Sequence, residues 1–175
     1  MKEVVKDLKP MFYLVIVMWL IFIVSLVTPI NNLGIHPRSL SGLIGIVLSP
    51  FLHANLGHIT SNSLALLSFG FFFTMLNRDK ALKLIVQLVI FSGILTWVIG
   101  GAGVHIGASG LVFGLFGYLL LAGIINKEPK HIIASILILV FYGGTIFGVF
   151  PSTPDVSWEG HLAGFVSGGL VAKIN

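Results

Sequence analysis

Apolar runs separated by short polar or basic stretches set the pattern of this chain. The first, "MFYLVIVMWLIFIVSLVTPI" from Met11 to Ile30, carries no charge and has the roughly 20 residues a helix needs to cross a bilayer's hydrocarbon core. It is too long for a signal-peptide core and no small-x-small cleavage site follows, so it reads as a retained anchor. Further runs predict helices over Leu56 to Leu76, Leu82 to Val104, Ile106 to Ile125, Ile132 to Phe150 and Gly160 to Ile174. The stretch "SLSGLIGIVLSPFL" before His53 is too short to span and is expected to lie in the interface or against the bundle. No alternating pattern marks a strand. The expectation is an all-α polytopic membrane protein, a bundle of six transmembrane helices with an interfacial first loop.

Composition agrees with this picture. The 175 residues are 56% hydrophobic and 9% charged, with a mean hydropathy of +1.04, well outside the range of soluble domains. No linker, repeat or low-complexity tract divides the chain, so residues 1–175 are read as one domain. Cysteine is absent, which excludes disulfides and thiolate metal sites. The net charge of +4 does not point to nucleic acid, because the basic residues sit between apolar runs without interleaved aromatics.

Those charges instead orient the chain. Lys2, Lys6 and Lys9 precede the first span, Arg78, Lys80 and Lys83 follow the second, Lys127 and Lys130 follow the fourth, and Lys173 ends the sixth. Arg38 alone falls on the other side. Lys and Arg in short loops stay cytoplasmic, so both termini are expected inside. Trp97 and Trp158, near the outer ends of spans three and six, suit the interfacial aromatic belt.

With that topology, spans two, four and six all enter from the outer face, and there the polar residues gather. Span two opens with "HANLGHITSN" (His53 to Asn62), span four with "GASG" (Gly107 to Gly110) and span six with "EGHLAG" (Glu159 to Gly164). Gly110, Gly114 and Gly117 form a stripe on span four, and His161, Gly164 and Gly168 share a face of span six. Small residues let membrane helices approach closely, so facing stripes would carry His161 toward Ser109. His58 and Asn62, four apart, point to one side of span two.

A serine hydroxyl is a weak nucleophile until a base takes its proton, and histidine is the usual base. Ser109 and His161 therefore make a candidate dyad. Attack on an amide creates an oxyanion, for which His58, the Asn62 amide and the Ser109 N–H at a helix start are candidate donors. "GASGL" is not the nucleophile elbow of soluble hydrolases, which needs a preceding strand and a glycine in place of Leu111.

Each residue also has a plainer reading. A lone membrane serine ordinarily bonds backbone or a neighbouring helix, "GGAGVHIGASG" reads equally as a flexible connection, and Asn62 reads as interhelical glue. Ionisable groups within spans, by contrast, signal function by default, and the conjunction on one side of the membrane favours chemistry. His53 is expected to fix the loop before span two, His36, Arg38 and His105 to be interfacial, and Asp155 to be a solvated loop residue. No residue is assigned as a catalytic acid. A metal site is disfavoured because His53 and His58 are five apart with no intramembrane carboxylate to join them.

The order of "HANLGHITSN", then "GASG" opening a helix, then "GHLAGFVSGG" resembles the rhomboid intramembrane serine proteases over about Gly34 to Gly169. The resemblance implies a six-helix, rhomboid-type bundle with a Ser–His dyad, a water-filled cavity open to the outer face, and cleavage of transmembrane segments of other membrane proteins near that face. Ser109 matches the nucleophile, His161 the general base, and His58 and Asn62 the oxyanion donors. His53 matches a structural histidine, Gly107 the glycine two before the nucleophile, and "GIHPR" (Gly34 to Arg38) the start of the large first loop. Phe113 stands where some members carry a tyrosine packed on the catalytic histidine. Gly110 and Gly164 are supporting positions. The chain is also expected to lack the extra soluble domain or seventh helix of some members. No cofactor or metal is implied; the partners are transmembrane substrates and the lipid bilayer, with the plasma membrane of a prokaryote as the expected location. The competing readings are a catalytically silent relative that binds transmembrane clients, and a small transporter or channel, whose paired hydropathy repeats are not found here.

Overall fold

The computed structural model describes residues 2–151 and 156–175, and side chains from Lys9 onward within those ranges. Asp155, expected to be a solvated loop residue, and the side chains of Lys2 and Lys6 lie outside the described residues. Helix α1 is Lys2–Ser25 and a short α2 is Gly45–Leu48. The long helices α3 (Leu56–Leu76), α4 (Ala81–Ile99) and α5 (Ser109–Asn126) follow. Helix α6 (Pro129–Tyr142) continues as a 3-10 segment over Gly143–Val149, and α7 is Trp158–Ile174. Among the described residues there is no strand, only an isolated antiparallel bridge between Ile35 and His105.

Helix α5 forms the centre. Leu111 to Leu119 are buried without interruption, because α3, α4, α6 and α7 all pack on it. The surrounding helices turn apolar side chains outward instead, among them Leu20, Ile23, Val86, Ile133 and Phe141. So broad an exposed apolar surface is one that water disfavours and lipid covers.

Four described helices are long and apolar enough to cross a membrane: Leu56–Leu76, Ala81–Ile99, Ser109–Asn126 and Pro129–Val149. The apolar part of α1, Lys9–Ser25, is shorter, and α7 has 17 residues. The chain is therefore an all-helical membrane protein, with the crossing of α1 and α7 resting on sequence rather than on these lengths.

Several ends differ from the apolar runs, each for a local reason. Helix α1 stops at Ser25, ahead of Pro29, whose ring removes a backbone donor and disfavours helix just before it. Helix α4 stops at Ile99 because Gly100 leaves the helical region, and the Arg38 guanidinium donates to the freed carbonyls of Val98 (3.0 Å) and Gly100 (2.8 Å). Helix α5 begins only at Ser109, since Gly107 adopts φ +112°, a left-handed conformation that glycine tolerates best. Helix α7 begins earlier than its apolar run, at Trp158, because the Ser157 hydroxyl caps it by accepting the Gly160 N–H at 3.2 Å.

The glycine stripes meet as expected. A methyl group on Gly164 would overlap the Gly110 carbonyl, one on Gly168 would overlap the Gly114 carbonyl and Tyr118 nitrogen, and one on Gly117 would overlap the Phe165 carbonyl. Helices α5 and α7 thus pack backbone to backbone, the arrangement small residues permit in lipid. Midway along α5, the buried Tyr118 hydroxyl donates to Asn77 Oδ1 at 2.7 Å, tying α5 to the C-terminal cap of α3.

Candidate functional site

Helices α3, α5 and α7 begin at one end of the bundle, and this fixes which side chains meet. Asn55 caps α3 by accepting the His58 N–H at 2.9 Å, so His58 sits in the first turn and Asn62 one turn deeper on the same face. Ser109 is the first residue of α5, and His161 follows the Ser157 cap by one turn of α7. Ser109, His161, His58 and Asn62 all line one open cavity of about 1420 Å³, which extends between α3 and α6 as far as Phe69 and Tyr142. The rings of those last two meet edge to face at 5.1 Å.

His161 is held on two sides. Its ring stacks on Phe113, centroids 4.1 Å apart and planes 10° from parallel. Its Nδ1 lies 2.9 Å from the Gly148 carbonyl, which only accepts, so the hydrogen-bond pattern assigns the proton to Nδ1 and leaves Nε2 with a free lone pair. No hydrogen bond joins His161 to the Ser109 hydroxyl; the two share the cavity wall. Gly148 must be small, because a methyl group there would come 2.5 Å from the Phe113 ring.

On the facing wall, Asn62 is buried and its amide nitrogen has no hydrogen-bond partner. A buried donor left unpaired costs stability. Gly107 closes on this pair: a methyl group there would stand 2.5 Å from His58 Nε2 and 3.4 Å from Asn62 Nδ2. The missing side chain lets the His58 ring pack directly against the start of α5.

His53 serves the framework. It is wholly buried, its ring meets His58 edge to face at 5.0 Å, and its Nε2 lies 3.5 Å from the Ala108 N–H. Its carbonyl accepts from Asn31, which fastens the first loop. Burial lowers its pKa to about 4, with His58 adding to the effect, so the ring is neutral at ordinary pH. Gly110 and Gly164 act through the α5–α7 contact that brings Ser109 and His161 to one end.

Two contacts near the cavity carry no side-chain pattern that the sequence analysis used. Gly148 acts through a backbone carbonyl, for which "IFGV" holds no side-chain signal. His105, expected to be interfacial, is half-buried, its Nδ1 2.6 Å from the Ser157 hydroxyl and its Nε2 3.2 Å from the Gly101 carbonyl. Among the described residues, no three His, Cys, Asp or Glu side chains group as a metal site would require.

The chain is similar in sequence to several known proteins. An uncharacterized protein of Mycobacterium tuberculosis is 36% identical over 150 residues, 81% of this chain and 62% of that protein. The chain thus spans under two thirds of this relative's length. A putative rhomboid protein of Acanthamoeba polyphaga mimivirus is 26% identical, covering 90% of this chain and 88% of its own. RHOMBOID-like protein 1 of Arabidopsis thaliana is 29% identical over 71% of this chain and 32% of its own length. The family model for the Rhomboid domain matches residues 40–174, a stretch that holds all three polar helix starts and the glycine contact behind them, and on that match the chain belongs to the rhomboid family.

Proposed function

We propose that this chain is an intramembrane serine endopeptidase that cleaves transmembrane segments of other membrane proteins. The observation that carries the reading is the convergence of Ser109, His161, His58 and Asn62 on one cavity, with His161 oriented through Nδ1 so that Nε2 is free. His161 Nε2 takes the Ser109 proton as Oγ attacks the scissile carbonyl, then passes it to the departing amine. The Asn62 amide, His58 and the Ser109 N–H, which has no acceptor within its helix, stabilise the oxyanion. Water then hydrolyses the acyl-enzyme. The Gly148 carbonyl supplies the orienting contact that a carboxylate supplies in three-residue charge systems. The chemistry needs no cofactor or metal.

The reading includes six membrane crossings, both termini in the cytoplasm and a cavity open to the outer face, supported by the placement of Lys and Arg. Cleavage accordingly lies near the outer face, in segments whose helix unwinds easily, because a helical carbonyl is hydrogen-bonded and shielded. The extension of the cavity between α3 and α6 supports lateral entry there. A catalytically silent client-binding relative is favoured only by the missing Ser109–His161 hydrogen bond. That is weak support, since catalytic hydrogen bonds are often long in unliganded enzymes.

A fluorophosphonate probe separates the two readings, because it needs an activated hydroxyl, a base and oxyanion donors together. Labelling of Ser109 in wild type, abolished in Ser109→Ala and sharply reduced in His161→Ala, supports the protease. Folded wild-type protein that stays unlabelled in both detergent and lipid overturns it.

A further inference from the structure

Ser109 and His161 lie on different helices, and a polar bridge outside the four reacting side chains joins the segments that lead into them. His105 stands four residues before Ser109. Its backbone pairs with Ile35 in both directions at 2.9 Å, and its half-buried ring rests beside Gly100, where a methyl group would come 2.9 Å from Nε2. Because the Gly101 carbonyl only accepts, Nε2 carries the proton and donates to it at 3.2 Å. Nδ1 is then an acceptor, and it takes the Ser157 hydroxyl proton at 2.6 Å.

Ser157 is occupied on every side. While donating to His105, its oxygen accepts the Gly160 N–H at 3.2 Å as the cap of α7, and its carbonyl accepts the His161 N–H at 3.2 Å. A second rung lies alongside: the Gly101 N–H donates to Glu159 Oε1 at 3.2 Å. The segment entering α5 and the first turn of α7 are thus tied together within one turn of His161.

We propose that His105 and Ser157 form a positioning clasp that sets the separation of Ser109 from His161. The Ile35 pairing and the Gly107 N–H donated to the Ser49 carbonyl at 2.9 Å hold the α5 entry to the first loop; the clasp ties it to the start of α7, whereas the glycine contacts act along the length of the two helices. His105 touches no reacting atom in this scheme; it works through Ser157 and the α7 cap. The inference rests on the protease reading.

The test compares His105→Ala, His105→Asn, Ser157→Ala and the double alanine variant in the full chain. It measures maximal labelling rate and half-saturating concentration for a fluorophosphonate, kcat and KM for a transmembrane substrate, and hydrogen exchange at Gly160 and His161. In His105→Ala the maximal labelling rate and kcat should fall on the order of 10- to 100-fold, while half-saturation and KM stay within about twofold. Exchange at the first turn of α7 should rise. Asparagine keeps an acceptor near the position of Nδ1, so His105→Asn should recover most of the rate. Adding His105→Ala to Ser157→Ala should cost nothing more, since the contact is already gone. Unchanged rates or unchanged exchange in His105→Ala overturn the clasp, as does a fall that asparagine does not relieve. A wild type that never labels overturns the protease reading and the clasp with it; a wild type that labels no faster than His105→Ala overturns the clasp alone.

Discussion

Asn62 carries the sharpest residue-level expectation. Its amide nitrogen is buried without a partner, and in the proposed reaction it finds one only when the oxyanion forms. Asn62→Ala or His58→Ala should therefore lower turnover by about 10²- to 10³-fold, the usual effect of losing one such donor. Unchanged turnover in a single-turnover cleavage assay would return both to structural roles. His53 is a residue of a different kind, neutral because it is buried, with a pKa near 4 against an ordinary 6.5. A group whose folded pKa is depressed in this way binds fewer protons folded than unfolded between those values, so stability rises with pH across that window. Thermal unfolding should reveal a midpoint that falls as the pH drops from about 6.5 toward 4. The fall should be shallower in His53→Asn; identical slopes would mean that His53 is not the group titrating.

Between helices, contact depends on what side chains leave out. Gly164 and Gly168 lie directly on the α5 backbone, so no rotamer relieves a larger residue there. Gly168→Val should destabilise by at least about 1–3 kcal/mol through overpacking, with loss of labelling following loss of fold in a denaturation series. Tyr118→Phe tests the tie between the middle of α5 and the end of α3. It leaves the buried Asn77 oxygen without its donor, at a cost of about 1–3 kcal/mol, and should not alter the labelling rate of the folded protein. The glycine stripes were legible in the sequence because three-and-four spacing defines a helix face before any partner is known. Helix ends were less so: hydropathy carried α4 on to Val104 and started α5 at Ile106, whereas Gly100, Gly107 and the Arg38 contact to the Val98 and Gly100 carbonyls decide where the backbone bonds stop.

For the whole molecule the decisive quantity is orientation across the bilayer. The chain contains no cysteine, so a single introduced thiol reports its own side. Ser41 and Lys130 are both exposed. In intact cells a membrane-impermeant maleimide should label Ser41→Cys, and should label Lys130→Cys only after permeabilisation. The reverse pattern would put the cavity on the cytoplasmic face. Mapping cut sites by mass spectrometry checks the same point, since cleavage at the cytoplasmic end of a substrate contradicts the proposed depth.

What the sequence determined by itself is what one helix can encode: the apolar length of each run, the polar start of α3, α5 and α7, and the faces on which His58 with Asn62, and His161 with Gly164, lie. These follow from a period of 3.6 residues and the cost of placing polar groups in hydrocarbon. Only the tertiary structure decided what lies between helices. The tautomer of His161 depends on a carbonyl 13 residues away at Gly148, the close approach of His58 to the α5 entry on the glycine at position 107, and the tie between the α5 entry and α7 on a hydrogen bond across 52 residues from His105 to Ser157. Each joins groups far apart along the chain that only packing brings together, and no spacing along the chain encodes it.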